Sequence, residues 1–251
     1  MDSEKELWWL NRRAQQKGIE THEFREPDFC LELTAVAFTP SDATRRFLSS
    51  LPCAGKNPAP EDAQGRERAL RRLSEEMVAC EQTPGLNVLE HGWNVAQKFH
   101  ELWDYIMTGN EPDGWRLPSW LMEHRERFQA LEPYLYEIEK YLIVHDCGKP
   151  RSALNRTVTQ KFPDHARISA EVWSEHSDDE FILNLIRNDM RAHTAKACDT
   201  EAFREIPNYE ILLLSALCEI HSNAEMFGGI DSTSFKIKWK NLDKLGRRVL
   251  Q

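Results

Sequence analysis

The chain has 251 residues, 41% of them hydrophobic and 29% charged, which is enough apolar material for one large domain or a domain with an appendage. Its formal charge of −9 argues against long nucleic acid held on a broad basic surface, because neutralising phosphates needs clustered Lys and Arg; a short or mononucleotide ligand remains compatible. No apolar run approaches the roughly 18 residues of a membrane helix, and the acidic start Met1-Asp2-Ser3-Glu4 does not read as a signal peptide, so membrane and secreted classes are not expected.

Residues 4–17 read as a short amphipathic helix, with Leu7, Trp8 and Leu10 on one side and Arg12 and Arg13 on the other. Residues 29–38 alternate weakly and suit a strand or a buried helical turn. Ser41 or Asp42 is placed to cap a helix reaching residue 51. Gly55, Asn57, Pro58 and Pro60 mark 52–65 as a loop, and a charged helix over 67–79 ends before Thr83-Pro84-Gly85. Residues 1–85 carry no motif and are expected to form a mostly helical N-terminal extension or cap.

Residues 86–251 read as helical throughout. Asn87 caps a helix to about residue 107, striped by Val88, Val95, Phe99, Leu102 and Ile106. A turn-rich link leads to a helix near 119–130, and 132–146 carries Leu135, Ile138, Leu142 and His145 at helical spacing. Further helices begin at Asp164 (His165, Ile168, Val172) and at Asp178 or Asp179 (Ile182, Ile186, Met190, His193). The last two cover 208–226 (Leu214, Leu217, His221) and the C-terminus from about Asn241. The expected fold class is all-α, with a helical bundle over 86–251. Cys30, Cys53, Cys80, Cys147, Cys198 and Cys218 form no C-x-x-C pair, so they read as reduced thiols of an intracellular, cytoplasmic protein.

His91, His145, His193 and His221 each lie on, or end, the apolar face of a separate expected helix. An apolar face points to the core, so these imidazoles should converge there. Burying several imidazoles without partners is unfavourable, and a metal ion resolves this by accepting each lone pair. Asp146 beside His145 adds the carboxylate of a mixed N/O ligand set suited to Mn, Fe, Co, Ni or Zn. In His145-Asp146-Cys147-Gly148-Lys149 the glycine is expected to turn the chain and Lys149 to reach back as a point charge for a phosphate oxygen. Arg151 and Arg191, near ligand positions, are candidate phosphate contacts. His22, His100, His124 and His176 fit no such pattern and are assigned to surface or packing.

At these residues the sequence resembles the HD-domain metal-dependent phosphohydrolases, over about residues 86–226. Their order of a first His, then His-Asp, then further histidines on an α-helical core is matched by His91, His145-Asp146 with Gly148-Lys149, His165 and His193. Phe162-Pro163-Asp164-His165 with Ser169-Ala170, and Ile186-Arg187 leading to Arg191 and His193, is similar to the HD modules attached to tRNA-nucleotidyltransferases, which act on phosphomonoesters and 2′,3′-cyclic phosphodiesters. The late Asp of the family is absent around 217–224; Glu219, His221 and Glu225 are the available donors, and His221 is favoured because it continues the stripe of Leu214 and Leu217.

The resemblance implies one or two divalent transition ions held by His91, His145, Asp146, His165, His193 and His221, with Asp146 and Lys149 catalytic and Lys149, Arg151 and Arg191 binding substrate. It implies a phosphohydrolase in which metal-bound hydroxide attacks a phosphomonoester or cyclic phosphodiester of a nucleotide or RNA end. The partner expected is thus a small phosphorylated substrate, with neither long nucleic acid nor membrane. The alternative is a degenerate HD-like module that binds a nucleotide or phosphate without cleaving it.

Overall fold

The structure, a computed structural model, describes residues 4–49, 51, 63–157 and 161–251. The expected loop over 52–65 falls mostly outside them. The chain divides into two compact units, Met1–Glu75 and Glu76–Gln251. Residues 76–85, expected with the N-terminal extension, fall in the second of these units.

In the first unit, α1 (Glu4–Gln16) places Glu4 and Glu6 in its first turn and Arg13 in its last, which favours the helix dipole, and buries Trp8, Leu10, Asn11 and Ala14. Strands β1 (Thr21–Glu26) and β2 (Glu32–Phe38) form an antiparallel hairpin in the register Thr21↔Phe38 to Glu26↔Glu32. Residues 32–38 are thus a strand, and β1 is its partner, which the sequence reading did not anticipate. Cys30 and Leu31 turn the chain between the strands at φ 52° and 58°. Helix α2 (Asp42–Leu48) follows, with Ser41 Oγ accepting from Thr44 N–H at 3.0 Å, and α3 (Ala63–Ala79) runs across the unit boundary.

The second unit is an all-α bundle with one small ribbon, β3 (Glu81–Thr83) against β4 (Leu86–Asn87). Asn87 and Glu90 close a reciprocal capping box at the start of α4 (Val88–Thr108), and Gly109 ends that helix at φ 82°. Two short helices, α5 (Trp120–Glu123) and α6 (Arg125–Gln129), replace the single helix expected near 119–130, broken at His124. Next come α7 (Leu135–Val144), α8 (Lys149–Ser152), α9 (His165–Ser174), α10 (Glu180–Asn188) and α11 (Arg191–Thr194). The expected helix through His193 is thus two, and His193 rides on the second. After α12 (Thr200–Arg204) and α13 (Tyr209–Ser222), the last helix α14 (Thr233–Val249) begins well before residue 241, because Ser232 Oγ caps it at Phe235 N–H.

Helix α13 is the hub: Ile211 through Cys218 are all buried, and it packs on α4, α14, α11 and α10. Around it α4 packs on α7, and α10 on α7 and α9. Trp103, Trp120, Tyr141, Phe99, Phe128 and Phe235 are fully buried here. Each such apolar side chain contributes about 1.5–3 kcal/mol when removed from water. No helix among the described residues is long and apolar enough to cross a membrane.

A candidate metal centre

Two glycines set the spacing of the site. A Cβ on Gly92 in α4 would lie 2.8 Å from the backbone carbonyl carbon of Ile143 in α7, and closer still to its oxygen. Only glycine allows this approach, which brings His91 and His145 to a ring separation of 5.5 Å. Gly148 acts in the same way between α8 and α9: a Cβ there would lie 2.6 Å from Ser169 Cα. Its φ of −86° is open to any residue, so Gly148 is needed for close packing and not to turn the chain as expected. Ser169 Oγ also accepts the Gly148 N–H at 2.9 Å, which ties His145-Asp146 to the helix that opens with His165.

The imidazoles and carboxylates then meet. Asp146 Oδ2 lies 3.6 Å from His91 Nε2 and 3.1 Å from His145 Nε2, while its Oδ1 faces His165 Nε2 at 3.7 Å. Glu219, from α13, places Oε1 2.9 Å from His145 Nε2 and Oε2 2.8 Å from His193 Nε2. The donor atoms of His91, His145 and Asp146 lie within 4.8 Å of one another, as do those of His145, Asp189 and Glu219. Local backbone aims the rings: His145 Nδ1–H donates to Leu142 O at 2.7 Å and His165 Nδ1–H to Phe162 O at 3.1 Å. A carbonyl can only accept, so each ring carries its proton on Nδ1 and turns Nε2 inward. Lys149 Nζ donates to Asp146 Oδ2 and, at 2.8 Å, to Gln82 Oε1. His91, Asp146, Lys149, His165, His193, Glu219 and Gln82 line a cavity of about 220 Å³ together with Asn223, Phe227 and Lys238, while His145 is buried behind Asp146 and Glu219.

Burial lowers His91 to about 4 even though Asp146 faces it. Burial also opposes charge on His145, but Asp146 and Glu219 outweigh it and hold that imidazole well above its ordinary range. Asp146 sits well below the usual carboxylate range because His145 and Lys149 overcome its burial, and Glu219 does so because His193 and His145 overcome its own. Asp189 is raised by burial and by the charge of Glu219, and it accepts a hydrogen bond from Tyr141 Oη.

Five expected ligands are brought together: His91, His145, Asp146, His165 and His193. His221 is not among them. Its ring stacks on Trp115 at 4.2 Å, its Nδ1–H donates to Leu217 O at 2.7 Å, and its Nε2 accepts the Arg116 N–H at 3.1 Å. No lone pair is left for an ion. Residues two apart on a helix point about 200° from each other, so Glu219 facing the cavity puts His221 on the far side. Glu225 is exposed and does not line the cavity. Arg151 spends both terminal nitrogens on Glu175, at 2.6 and 2.9 Å, and Arg191 is exposed and lines a separate hollow with Thr194, Asp199 and Phe203. Neither expected arginine contact reaches the cavity. Gln82, Asp189, Asn223 and Lys238 are site residues the sequence reading missed. For Asp189 the signal was a carboxylate one turn after Ile186 and two turns after Ile182, on the apolar stripe itself.

The residues present suit a cation. Among the described residues His145 Nε2, Asp146 Oδ1 and His91 Nδ1 are buried and make no hydrogen bond. His145 Nε2 has two carboxylate oxygens within 3.1 Å, one from Asp146 and one from Glu219. Convergence of N and O donors without mutual hydrogen bonds is the arrangement a divalent transition ion satisfies. Comparison of the chain with known protein-family models, with curated proteins and with solved structures finds no match. The functional reading therefore rests on the chemistry of the site.

Proposed function

We propose that this protein is a metal-dependent phosphohydrolase acting on a phosphomonoester or cyclic phosphodiester of a small substrate such as a nucleotide, or of an RNA end. The observation that carries this reading is the convergence of His91, Asp146, His165, His193 and Glu219 on one cavity that also holds a buried lysine, with His145 directly behind Asp146 and Glu219. His91, His145 and Asp146, with Glu219 in the place of the late donor, would hold the first ion; Asp146, His165 and His193 would serve a second. Bound there, a divalent transition ion supplies the Lewis acidity that makes water nucleophilic near neutral pH.

The chain's own groups do the rest. Lys149 offers its ammonium to a phosphate oxygen on the floor of the cavity, held in place by Asp146 and Gln82. His145 and His165 are held through their Nδ1–H bonds to Leu142 O and Phe162 O, so both rings keep their bearing while charge develops on the phosphate. A second reading, phosphate binding without hydrolysis, is favoured by the Lys149 ammonium sitting on Asp146 Oδ2, where it already compensates that carboxylate.

Elemental analysis of protein purified without added metal, followed by a phosphoester panel including p-nitrophenyl phosphate and its bis ester, separates the two readings. Hydrolysis expects bound transition metal and turnover that His145→Ala or Asp146→Ala abolishes while helical content stays intact. Unchanged turnover in both variants under controlled metal would reject the assignment.

A further inference from the structure

Building on the phosphohydrolase reading, we propose that the cavity mouth is a second subsite, with Lys238 for an anion and Asn223 for a hydroxyl, which selects small phosphoesters carrying another acidic group. Helix α14 carries Lys236, Lys238, Lys240, Lys244, Arg247 and Arg248. At about 100° per residue, Lys236, Lys240, Lys244, Arg247 and Arg248 fall on the arc opposite the buried Phe235, Leu242, Leu245 and Val249. Charges on a solvent face need no explanation. Lys238 differs, because although exposed it falls in phase between the buried Leu245 and Val249 and lines the cavity.

Its surroundings leave the ammonium open to an anion. Lys236 has Asp231 at 3.3 Å and Arg247 has Asp243 at 3.0 Å, whereas no acid pairs with Lys238 among the described residues. Lys238 Nζ instead rests 5.1 Å from the centre of the Phe227 ring, a contact that positions it without compensating its charge. Beside it Asn223 follows Glu219 by four residues, on the same side of the end of α13, and its N–H donates to Glu219 O at 2.9 Å. Its side-chain Oδ1 is buried in the cavity wall and accepts nothing from the described residues. A ligand hydroxyl would satisfy that oxygen. A cavity of about 220 Å³ is smaller than the roughly 300–1,000 Å³ of drug-sized sites, so the ligand is compact. The chemistry that fits is a phosphate at Lys149, a hydroxyl at Asn223 and a carboxylate or second phosphate at Lys238.

Calorimetric titration of the full chain with two matched pairs of probes tests this. The pairs are 3-phosphoglycerate against glycerol 3-phosphate, and pyrophosphate against inorganic phosphate. Wild type should prefer the doubly acidic member of at least one pair, and the pair that shows the preference identifies the second group as carboxylate or phosphate. Lys238→Met should lose about fivefold in affinity for that member and nothing for its partner, while Lys238→Arg should keep the preference. A Lys238→Met variant that binds phosphate with its preferences unchanged, or weakens equally for all four probes, overturns the subsite alone. A wild-type chain that binds none of the four removes the phosphohydrolase reading and the subsite with it.

Discussion

Replacing Gly92 by Ala tests the contact on which the site is built. The new Cβ would lie 2.8 Å from the Ile143 carbonyl carbon, and the obstruction is backbone, which no rotamer change can relieve. Ordinary carbon contacts are about 3.5–4.0 Å, so α4 and α7 must part by roughly 1 Å. Overpacking of this kind costs about 1–3 kcal/mol, set against up to about 1 kcal/mol from the better helix propensity of alanine. A net loss near 2 kcal/mol corresponds to a fall in melting temperature of about 4–8 °C for a chain of this size. The same movement widens the 5.5 Å separation of the His91 and His145 rings, and should weaken Mn²⁺ binding more than tenfold, because a metal site tolerates only about 0.5 Å of misplacement. Thermal melts and Mn²⁺ calorimetry on Gly92→Ala measure both effects. Gly65→Ala, with nothing within 4 Å of the added carbon, serves as the control and should bind Mn²⁺ like wild type. A Gly92→Ala protein that melts and binds metal like wild type would refute the close-approach argument.

Glu219→Gln should lower Mn²⁺ affinity at least tenfold, whereas His221→Gln should keep the metal stoichiometry; calorimetry showing the reverse would restore His221 as the late ligand. His221→Gln should also change how stability depends on pH. Burial holds His221 at about 4 against an ordinary 6.5, so the fold favours its neutral ring. The stability that neutral ring contributes is complete above pH 6.5 and is lost as pH falls toward 4, in all about 3 kcal/mol at 1.36 kcal/mol per pH unit. Denaturant titrations at pH 7 and pH 4.5 should show the wild-type advantage over His221→Gln shrinking in acid; an advantage independent of pH would contradict the assignment.

Where helices carry one apolar stripe, their content could be read directly. Val95, Phe99, Leu102 and Ile106 are all buried in α4, and the stripe that ends at His145 leads straight to the cavity. The stripe argument failed on α13 for a physical reason. A helix buried on every side has no apolar face to mark its inward direction, so Leu214 and Leu217 pointed to His221 while the ring of the site faced Glu219. The break between α10 and α11 was hidden because Met190 and His193 extend the stripe of Ile182 and Ile186 across a turn. Gly92 and Gly148 were visible as glycines, but their function lies in which backbone passes beside them, a tertiary fact. Lys238 was overlooked because the last helix was expected only from about Asn241, and the phase that sets Lys238 beside Leu245 and Val249 appears once the helix starts at Thr233.

The inward rings of His145 and His165 each lean on a carbonyl three residues behind, within their own stretch of chain. Their bearing is therefore set by these local turns. Under the proposed reading an ion would meet rings already turned with Nε2 inward, and His145, held well above its ordinary range by Asp146 and Glu219, would release a proton on binding it. On that reading, substitutions at Lys238 and Phe227 should alter what the pocket accepts while these local turns stay in place.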